Sequence, residues 1–118
     1  ESYFCITTAL VPDSGIWYIL VMHIVSIQML RDFWQIHPDS ERPLRAWYAA
    51  AKRAQWRGPT DIKEEHSTAS FLGENRVIFN IKGNSYRLVV IAEYRKGRLF
   101  VRFVGTHAEY DRIDATRI

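Results

Sequence analysis

The stretch that decides the fold spans residues 76–111 and reads RVIFNIKGNSYRLVVIAEYRKGRLFVRFVGTHAEYD. It contains two short turn signals, Gly83-Asn84 and Lys96-Gly97, and each is flanked by β-branched and aromatic residues. Short turns of this composition join antiparallel strands into hairpins. The stretch therefore predicts three consecutive antiparallel strands.

The two turns also predict how the strands are paired. A two-residue turn at the first signal places Asn80 opposite Arg87, and a two-residue turn at the second places Arg87 opposite Thr106. Opposed residues share a face of the sheet because side chains alternate along each strand. Asn80, Arg87 and Thr106 are therefore expected to form one row across the three strands, with His107 at its end.

This register gives the sheet two faces of different chemistry. The core face is predicted to carry no charge and consists of Val77, Phe79, Ile81, Tyr86, Leu88, Val90, Ala92, Tyr94, Leu99, Val101 and Phe103. The outer face is polar and basic and consists of Asn80, Lys82, Arg87, Val89, Ile91, Arg102, Val104 and Thr106. An apolar sheet face needs a cover, so we expect helices on the core face and an open outer face.

The residues before the sheet can supply that cover. Apolar residues recur at helical spacing over 29–36, up to the break at Pro38, and again over 44–54. A short apolar run at 22–26 predicts a first strand, and the residues after Thr106 predict a short final helix. The predicted fold is α+β: an N-terminal strand and a helical hairpin packed on a twisted antiparallel sheet, with a short C-terminal helix.

Size and composition indicate one domain over 22–118. A chain of 118 residues buries roughly two thirds of its unfolded surface without metals or disulfides. The single Cys5 cannot form an intramolecular disulfide and no zinc-type spacing occurs, so we expect no metal, no cofactor and a cytoplasmic location. The net charge of +3 and the pI of about 9.2 suit a nucleic acid or an acidic partner without specifying either.

Residues 1–21 lie before the domain pattern and are predicted to be an N-terminal extension. The apolar run at 16–27 is about twelve residues long, whereas a membrane span needs about twenty. No basic segment precedes the run, which disfavours a secretory signal. An added strand and a poorly ordered tail are both compatible with this segment, and no role in a membrane is expected.

Three segments carry a resemblance to a known family. They are RDFWQIHPDSERPLRAWY at 31–48, SFLGENRVIFNIKGNSYRLVV at 70–90 and RFVGTHAEYD at 102–111. Together they resemble the HigB family of toxin-antitoxin toxins, within the RelE/ParE superfamily, over 22 to about 114. The resemblance implies a RelE-like fold and a metal-independent endoribonuclease that cuts messenger RNA on the translating ribosome. It also implies a cognate HigA-like antitoxin that holds the toxin inactive.

Cutting RNA without a metal uses the 2′-hydroxyl as the nucleophile against the adjacent phosphate. The protein must then supply a proton acceptor, a proton donor and positive charge on the phosphate. His107 is the expected proton-transfer group, because a free imidazole has a pKa of about 6.5 and because the resemblance places the catalytic histidine here. Arg87 matches the arginine of the family's YRLV segment, and its planar fork suits a phosphate.

Other candidates surround these two residues. Lys82 adds charge at the strand end, and Tyr110 lies one helical turn after His107, where its hydroxyl or its ring can reach RNA. RelE-type relatives carry two lysines where this chain has Asn80 and Lys82, which leaves the general base open. Either His107 is the acid and Asn80 only orients the 2′-hydroxyl, or His107 is the base opposite a weaker acid. The predicted RNA-binding residues are Arg102, Arg76 and Thr106.

Two other classes of function are compatible with the sequence. A non-enzymatic inhibitor of a protein target such as DNA gyrase, as in the ParE branch, needs no proton-transfer residue, and His107 and Tyr110 argue against it. A plain RNA-binding module would bind in a salt-dependent way without producing a cut. The ribosome-dependent endoribonuclease is the leading hypothesis.

Overall fold

The computed structural model describes residues 22–118, and the predicted extension at 1–21 lies outside them. Five strands form one sheet: β1 (His23–Val25), β2 (Ser70–Leu72), β3 (Arg76–Ile81), β4 (Tyr86–Glu93) and β5 (Arg98–Thr106). Their order is β1-β5-β4-β3-β2. The pairings among β2, β3, β4 and β5 are antiparallel, and β1 adds a parallel pairing with β5 at one edge.

Four α-helices occur in this part of the chain: α1 (Ile27–Ile36), α2 (Glu41–Ala54), α3 (Pro59–Glu65) and α4 (His107–Asp111). Single 3-10 turns lie at Pro38–Ser40 and Tyr94–Lys96. α1 ends before Pro38, whose ring and missing N–H disfavour a continued helix. α2 carries Lys52 and Arg53 in its last turn, where positive charge complements the helix dipole. The predicted α+β fold is confirmed, with α1 and α2 as the helical hairpin.

The main apolar core lies between the helices and the core face of the sheet. Buried residues of α1 and α2 pack against buried residues of β3, β4 and β5 in one cluster, which includes Leu30, Leu44, Trp47, Phe79, Leu88, Val90, Leu99 and Val101. Burying one large aliphatic or aromatic side chain stabilises a fold by roughly 1.5–3 kcal/mol. The helices α1 and α2 therefore cover the core face of the sheet, as the sequence predicted.

The first hairpin has the predicted register. Asn80 pairs with Arg87, and Ile81 pairs with Tyr86. Lys82 and Gly83 turn the chain with φ angles of 54° and 63°. This left-handed backbone costs glycine little but rotates the Lys82 side chain out of the strand's alternation. Lys82 consequently reaches the helical layer, so its predicted place on the outer face is wrong.

The second hairpin has a longer turn than predicted. A two-residue turn at Lys96-Gly97 would pair Leu99 with Tyr94, whereas Leu99 pairs with Ala92. The extra residues form the 3-10 turn Tyr94–Lys96, and Gly97 ends it with a φ of 65°. The longer turn therefore shifts the pairing of β4 with β5 away from the predicted register. The local sequence does not specify the length of this turn.

A bulge on β5 then changes the face of every residue that follows it. Val90 pairs with Val101 but Val89 pairs with Phe103, so Arg102 is an extra residue without a partner in β4. One inserted residue transfers the next side chains to the opposite face. Phe103 therefore lies on the outer face, where the prediction had placed Arg102.

The predicted row of Asn80, Arg87 and Thr106 is wrong for the same reason. Arg87 pairs with Gly105, and Thr106 pairs with Tyr86. The row across β3, β4 and β5 is therefore Asn80, Arg87 and Gly105, and its last member has no side chain.

Part of the outer face is covered by the C-terminal segment. Ile78, Val89 and Ala115 are buried together, and the partly buried residues around them are Leu72, Phe103, Tyr110, Ile113 and Ile118. We call this group the outer cluster. The predicted open outer face is therefore wrong over the outer cluster, because Phe103 faces outward and the chain after α4 folds back onto it. Asn80 and Arg87 remain partly exposed beyond it.

Candidate functional site

Three strand ends meet at one end of the sheet, which we call the site end. β3 ends at Ile81, β4 begins at Tyr86 and β5 ends at Thr106. Because the pairings are antiparallel, the turn after β3 and the start of α4 lie at this same end. The site end therefore gathers Lys82, Arg87 and His107, which are three of the predicted catalytic residues.

A reciprocal pair of hydrogen bonds holds the start of α4. The Thr106 hydroxyl accepts the Glu109 N–H at 3.1 Å, and the Glu109 carboxylate accepts the Thr106 N–H at 2.8 Å. This capping box satisfies two backbone donors that the first helical turn leaves free. Thr106 therefore caps α4, whereas the sequence predicted only a role in RNA binding for it.

The capping box places His107 at the first position of α4. Its side chain is 52% exposed, and its Nδ1 lies 3.3 Å from the Asp111 carboxylate. The two groups form an ion pair whenever the imidazole is protonated. Because Asp111 contacts Nδ1, Nε2 is the nitrogen available to a substrate in the part of the chain described.

Asp39 joins the helical layer to the sheet at the site end. Its Oδ2 accepts a hydrogen bond from Lys82 Nζ at 2.7 Å, and its Oδ1 accepts one from the Tyr86 hydroxyl at 2.6 Å. The bond from Lys82, followed by the bond from Tyr86, lowers the pKa of Asp39. The bond to Asp39 and partial burial raise the pKa of Tyr86. The site end therefore contains an ionised carboxylate held between a cation and a phenol at neutral pH.

Arg87 flanks the same turn as Lys82. Its Nη1 donates to the carbonyl oxygen of Asn84 at 3.3 Å, and Asn80 lies opposite on β3. On β5, Gly105 pairs with Arg87 and is tightly packed. A Cβ added at Gly105 would lie 2.5 Å from the Phe103 ring and 2.8 Å from the Glu109 carboxylate. The site end therefore has two cations near one turn and a tightly packed glycine beside them.

Three of the predicted residues lie away from these groups. Tyr110 belongs to the outer cluster, with its ring centroid 6.3 Å from that of Phe103. Arg76 is only 9% exposed, and its guanidinium donates to the Ile118 carbonyl oxygen and to Glu74. Arg102 is exposed at the bulge. Their roles in catalysis and RNA binding stay predictions, and Arg76 has structural contacts that account for its burial.

The sequence did not predict Asp39, Tyr86 or His37 as members of the site. The His37 ring stacks on Phe33 at 4.5 Å and lies 5.6 Å from the Tyr86 ring. A signal was present in the polar His-Pro-Asp-Ser segment at 37–40, between two apolar helical stripes. Nothing local indicates that this segment reaches the sheet, because its contacts are with residues more than 40 positions away.

Within 22–118, no group of three or more His, Cys, Asp or Glu side chains is arranged to hold a metal ion. None of the helices described is long and apolar enough to cross a membrane.

The chain is similar to proteins of one family. Residues 40–113 match the model of the HigB toxin family, described as the RelE-like toxic component of a toxin-antitoxin system. An mRNA interferase HigB of Escherichia coli O6:H1 is 23% identical over 94 residues, which cover 78% of this chain and 91% of the relative. The mRNA interferase toxin HigB of E. coli K12 and the mRNA interferase HigB of Shigella flexneri are each 24% identical over 92 residues, which cover 76% of this chain and 88% of the relative. Because the matched region exceeds half of the chain and lies on the fold expected of a RelE-like protein, this chain belongs to the HigB toxin family of toxin-antitoxin systems.

Proposed function

We propose that this protein is an endoribonuclease that cleaves messenger RNA on the translating ribosome in the cytoplasm and is neutralised by a cognate HigA-like antitoxin. The observation that carries the proposal is the site end, where His107, Arg87 and Lys82 are gathered by three strand ends. The names of the relatives, mRNA interferases, support the same activity. The partner and the ribosome follow from the family resemblance.

The proposed reaction is an internal transesterification. The 2′-oxygen attacks the adjacent phosphorus, and the bond from phosphorus to the 5′-oxygen of the next nucleotide breaks. Arg87 and Lys82 stabilise the charge that accumulates on the phosphate oxygens, because charge-assisted hydrogen bonds are strongest to the more charged transition state. His107 donates a proton to the departing 5′-oxygen through Nε2, while Asp111 contacts Nδ1. Asn80 orients the 2′-hydroxyl from the strand opposite Arg87.

The ribosome fits this site because the side chains involved are exposed. His107 is 52% exposed and Lys82 is 48% exposed, so both are open to a message that is presented from outside the protein. A ribosome that presents the message in a fixed geometry supplies much of the positioning that speeds such a reaction. An antitoxin neutralises the toxin either by covering the site end or by keeping it off the ribosome.

Primer extension on messages from cells that express the chain tests the proposal. We expect new 5′ ends within translated codons for the parent, and a loss of at least about 100-fold in cleavage for His107→Ala, the lower range for general acid catalysis. Arg87→Ala should also lose cleavage. Intact messages with arrested DNA replication would instead support a ParE-like inhibitor.

The chain offers matched controls for these two variants. His23 pairs with Arg98 at the other end of β5, and Arg53 is exposed in the last turn of α2. His23→Ala and Arg53→Ala should cleave like the parent. The proposal is wrong if His107→Ala and Arg87→Ala cut messages as fast as these controls do.

A further inference from the structure

The proposed reaction needs a group that removes the proton from the 2′-hydroxyl. The row across the sheet contains an amide, a guanidinium and a glycine at Asn80, Arg87 and Gly105, and none of these is a base near neutral pH. His107 is already assigned to the leaving oxygen. The helical layer supplies another titratable group to the site end, at the 3-10 turn Pro38–Ser40.

We infer that Asp39 is the general base of this site and that His107 is its general acid. This inference rests on the proposed endoribonuclease function and adds a catalytic residue to it. Three observations carry it, namely the contact with Lys82, the anchoring by Tyr86 and the exposure of the carboxylate.

The contact with Lys82 places the carboxylate where the reaction needs it. The 2′-hydroxyl and the scissile phosphate belong to the same nucleotide, so the base must lie beside a phosphate ligand. Asp39 Oδ2 is 2.7 Å from Lys82 Nζ. A phosphate oxygen bound by Lys82 therefore brings the neighbouring 2′-hydroxyl to the side of the carboxylate.

The anchoring by Tyr86 restricts the carboxylate to one orientation. The Tyr86 hydroxyl donates to Oδ1 at 2.6 Å, and the Cα of Tyr86 is paired with that of Thr106, the residue before His107. The base is thus hydrogen-bonded to the first residue of β4, and the acid follows the last residue of β5, the neighbouring strand. Fixing catalytic groups in this way removes part of the entropic cost of the reaction.

The carboxylate is also accessible and has capacity for a further hydrogen bond. Its side chain is 50% exposed, and a carboxylate offers about four acceptor sites, of which the two contacts described use two. The groups that donate to it are Lys82, which follows β3, and Tyr86, the first residue of β4. Lys82 and Tyr86 lower the pKa of the carboxylate, so it is ionised and able to accept a proton at neutral pH, with a lower proton affinity than a free carboxylate.

Asp39 takes the proton of the 2′-hydroxyl as the 2′-oxygen forms its bond to phosphorus. The bond from phosphorus to the 5′-oxygen breaks, and that oxygen takes its proton from the His107 imidazolium. The products are a 2′,3′-cyclic phosphate and a free 5′-hydroxyl.

The test compares two messages on translating ribosomes with purified toxin. One message is ordinary RNA at a mapped cleavage site, and the other carries sulfur in place of the bridging 5′-oxygen. A thiolate leaves without a proton, so sulfur should restore cleavage by His107→Ala. It should not restore cleavage by Asp39→Asn, which lacks the base. We expect Asp39→Asn to lose at least about 100-fold in kcat with an unchanged or lower KM.

Asparagine keeps an oxygen for the Tyr86 hydroxyl, so Asp39→Asn retains much of the anchoring. Tyr86→Phe removes the anchor but keeps the carboxylate, and it should lose less activity than Asp39→Asn. Asp32→Asn, on the exposed part of α1, serves as the matched control and should leave cleavage unchanged.

Several outcomes would overturn the inference. Asp39 is only a counter-ion of Lys82 if Asp39→Asn keeps the parental kcat, and only a structural anchor if Tyr86→Phe loses as much as Asp39→Asn. Recovery of Asp39→Asn on the sulfur message would also refute its role as the base. A parent that cuts neither message refutes the proposed function itself. A parent that cuts, with Arg87→Ala and His107→Ala impaired on ordinary RNA, leaves that function standing whichever way Asp39 behaves.

Discussion

At the scale of single residues, the site end contains an exposed ion pair between Lys82 and Asp39. Lys82 is a predicted phosphate ligand, and the structure shows its ammonium bound to the Asp39 carboxylate. An exposed pair of this kind is exchangeable, because water and salt compete for both ions. A phosphate can therefore bind Lys82 without a large rearrangement of the fold.

Replacing Lys82 should weaken catalysis more than it weakens the fold. We expect Lys82→Ala to lower the rate of message cleavage on the order of tenfold, which is less than the hundredfold typical of an enclosed donor to a developing oxyanion. Lys96→Ala, an exposed lysine at the other end of the sheet, is the matched control. Equal cleavage rates for the two variants would show that Lys82 takes no part in the reaction.

A second residue, His66, makes stability depend on pH. Its ring contacts those of Trp56 and Phe79 edge to face, at centroid distances of 5.7 and 5.1 Å, and its Nε2 is buried without a hydrogen-bond partner among the residues described. Burial lowers the pKa of His66 below 6.5, and the neighbouring Glu65 opposes this shift only in part. The unfolded chain therefore binds a proton at this residue more readily than the folded chain does.

The sign of the effect follows from proton linkage. The contribution of neutral His66 is fully present above pH 6.5 and is lost as the pH falls from 6.5 toward the lower folded pKa. Urea unfolding between pH 5 and 8 should show this loss in the parent and a smaller one in His66→Phe. His23→Phe, on the exposed edge strand β1, should keep the parental dependence. Parallel curves for parent and His66→Phe would contradict the prediction.

At the scale of elements, the junction of β5 and α4 is tightly packed around Gly105. The bulge at Arg102 turns Phe103 outward, and the Phe103 ring then lies against the backbone of Gly105. Glu109, which closes the capping box with Thr106, approaches the same position. The placement of His107 at the start of α4 therefore depends on a glycine two residues earlier.

Gly105→Ala should disturb this junction. The added methyl carbon would stand 2.5 Å from Phe103 Cζ, a contact that requires the ring or the backbone to move. We expect a loss of about 1–3 kcal/mol in the free energy of unfolding, the usual range for overpacking, with faster hydrogen exchange in α4. Gly73→Ala meets nothing within 4 Å and should be nearly neutral. Unchanged exchange in α4 for Gly105→Ala would show that the junction tolerates the methyl group.

At the scale of the whole molecule, the sheet is covered on both faces but by different means. The core face is covered by α1 and α2, whereas part of the outer face is covered by the segment after α4. Arg76 fastens that segment, because its Nε and Nη2 donate to the Ile118 carbonyl oxygen at 3.1 and 2.7 Å. The site end, where Lys82 and His107 are exposed, lies outside both covers.

Arg76→Ala should loosen the outer cluster and leave the site end in place. We expect a loss of about 1–3 kcal/mol in the free energy of unfolding, because hydrogen bonds from a charged donor are removed in a partly buried position. Hydrogen exchange at 113–118 should become faster. Arg102→Ala, at an exposed position, should change neither quantity. If Arg76→Ala instead keeps its stability and loses RNA affinity, Arg76 is the RNA ligand that the sequence predicted.

Two features were determined by the sequence alone because they depend on contacts between near neighbours. The first hairpin has the predicted register, since Lys82, Gly83 and the adjacent Asn84 form a tight turn whose backbone geometry is local. The helical hairpin was likewise predicted, because apolar spacing and Pro38 act within a few residues.

The tertiary structure alone decided the rest. The 3-10 turn and the bulge at Arg102 moved Thr106 away from Arg87, since packing of the whole sheet selects among turns and bulges that are locally similar in energy. The bonds of Asp39 to Lys82 and Tyr86 join residues more than 40 positions apart, so no local pattern could reveal them. The sequence thus determined the elements and the positions of His107 and Arg87 at strand ends, and long-range packing determined that the Asp39 carboxylate contacts Lys82 and Tyr86.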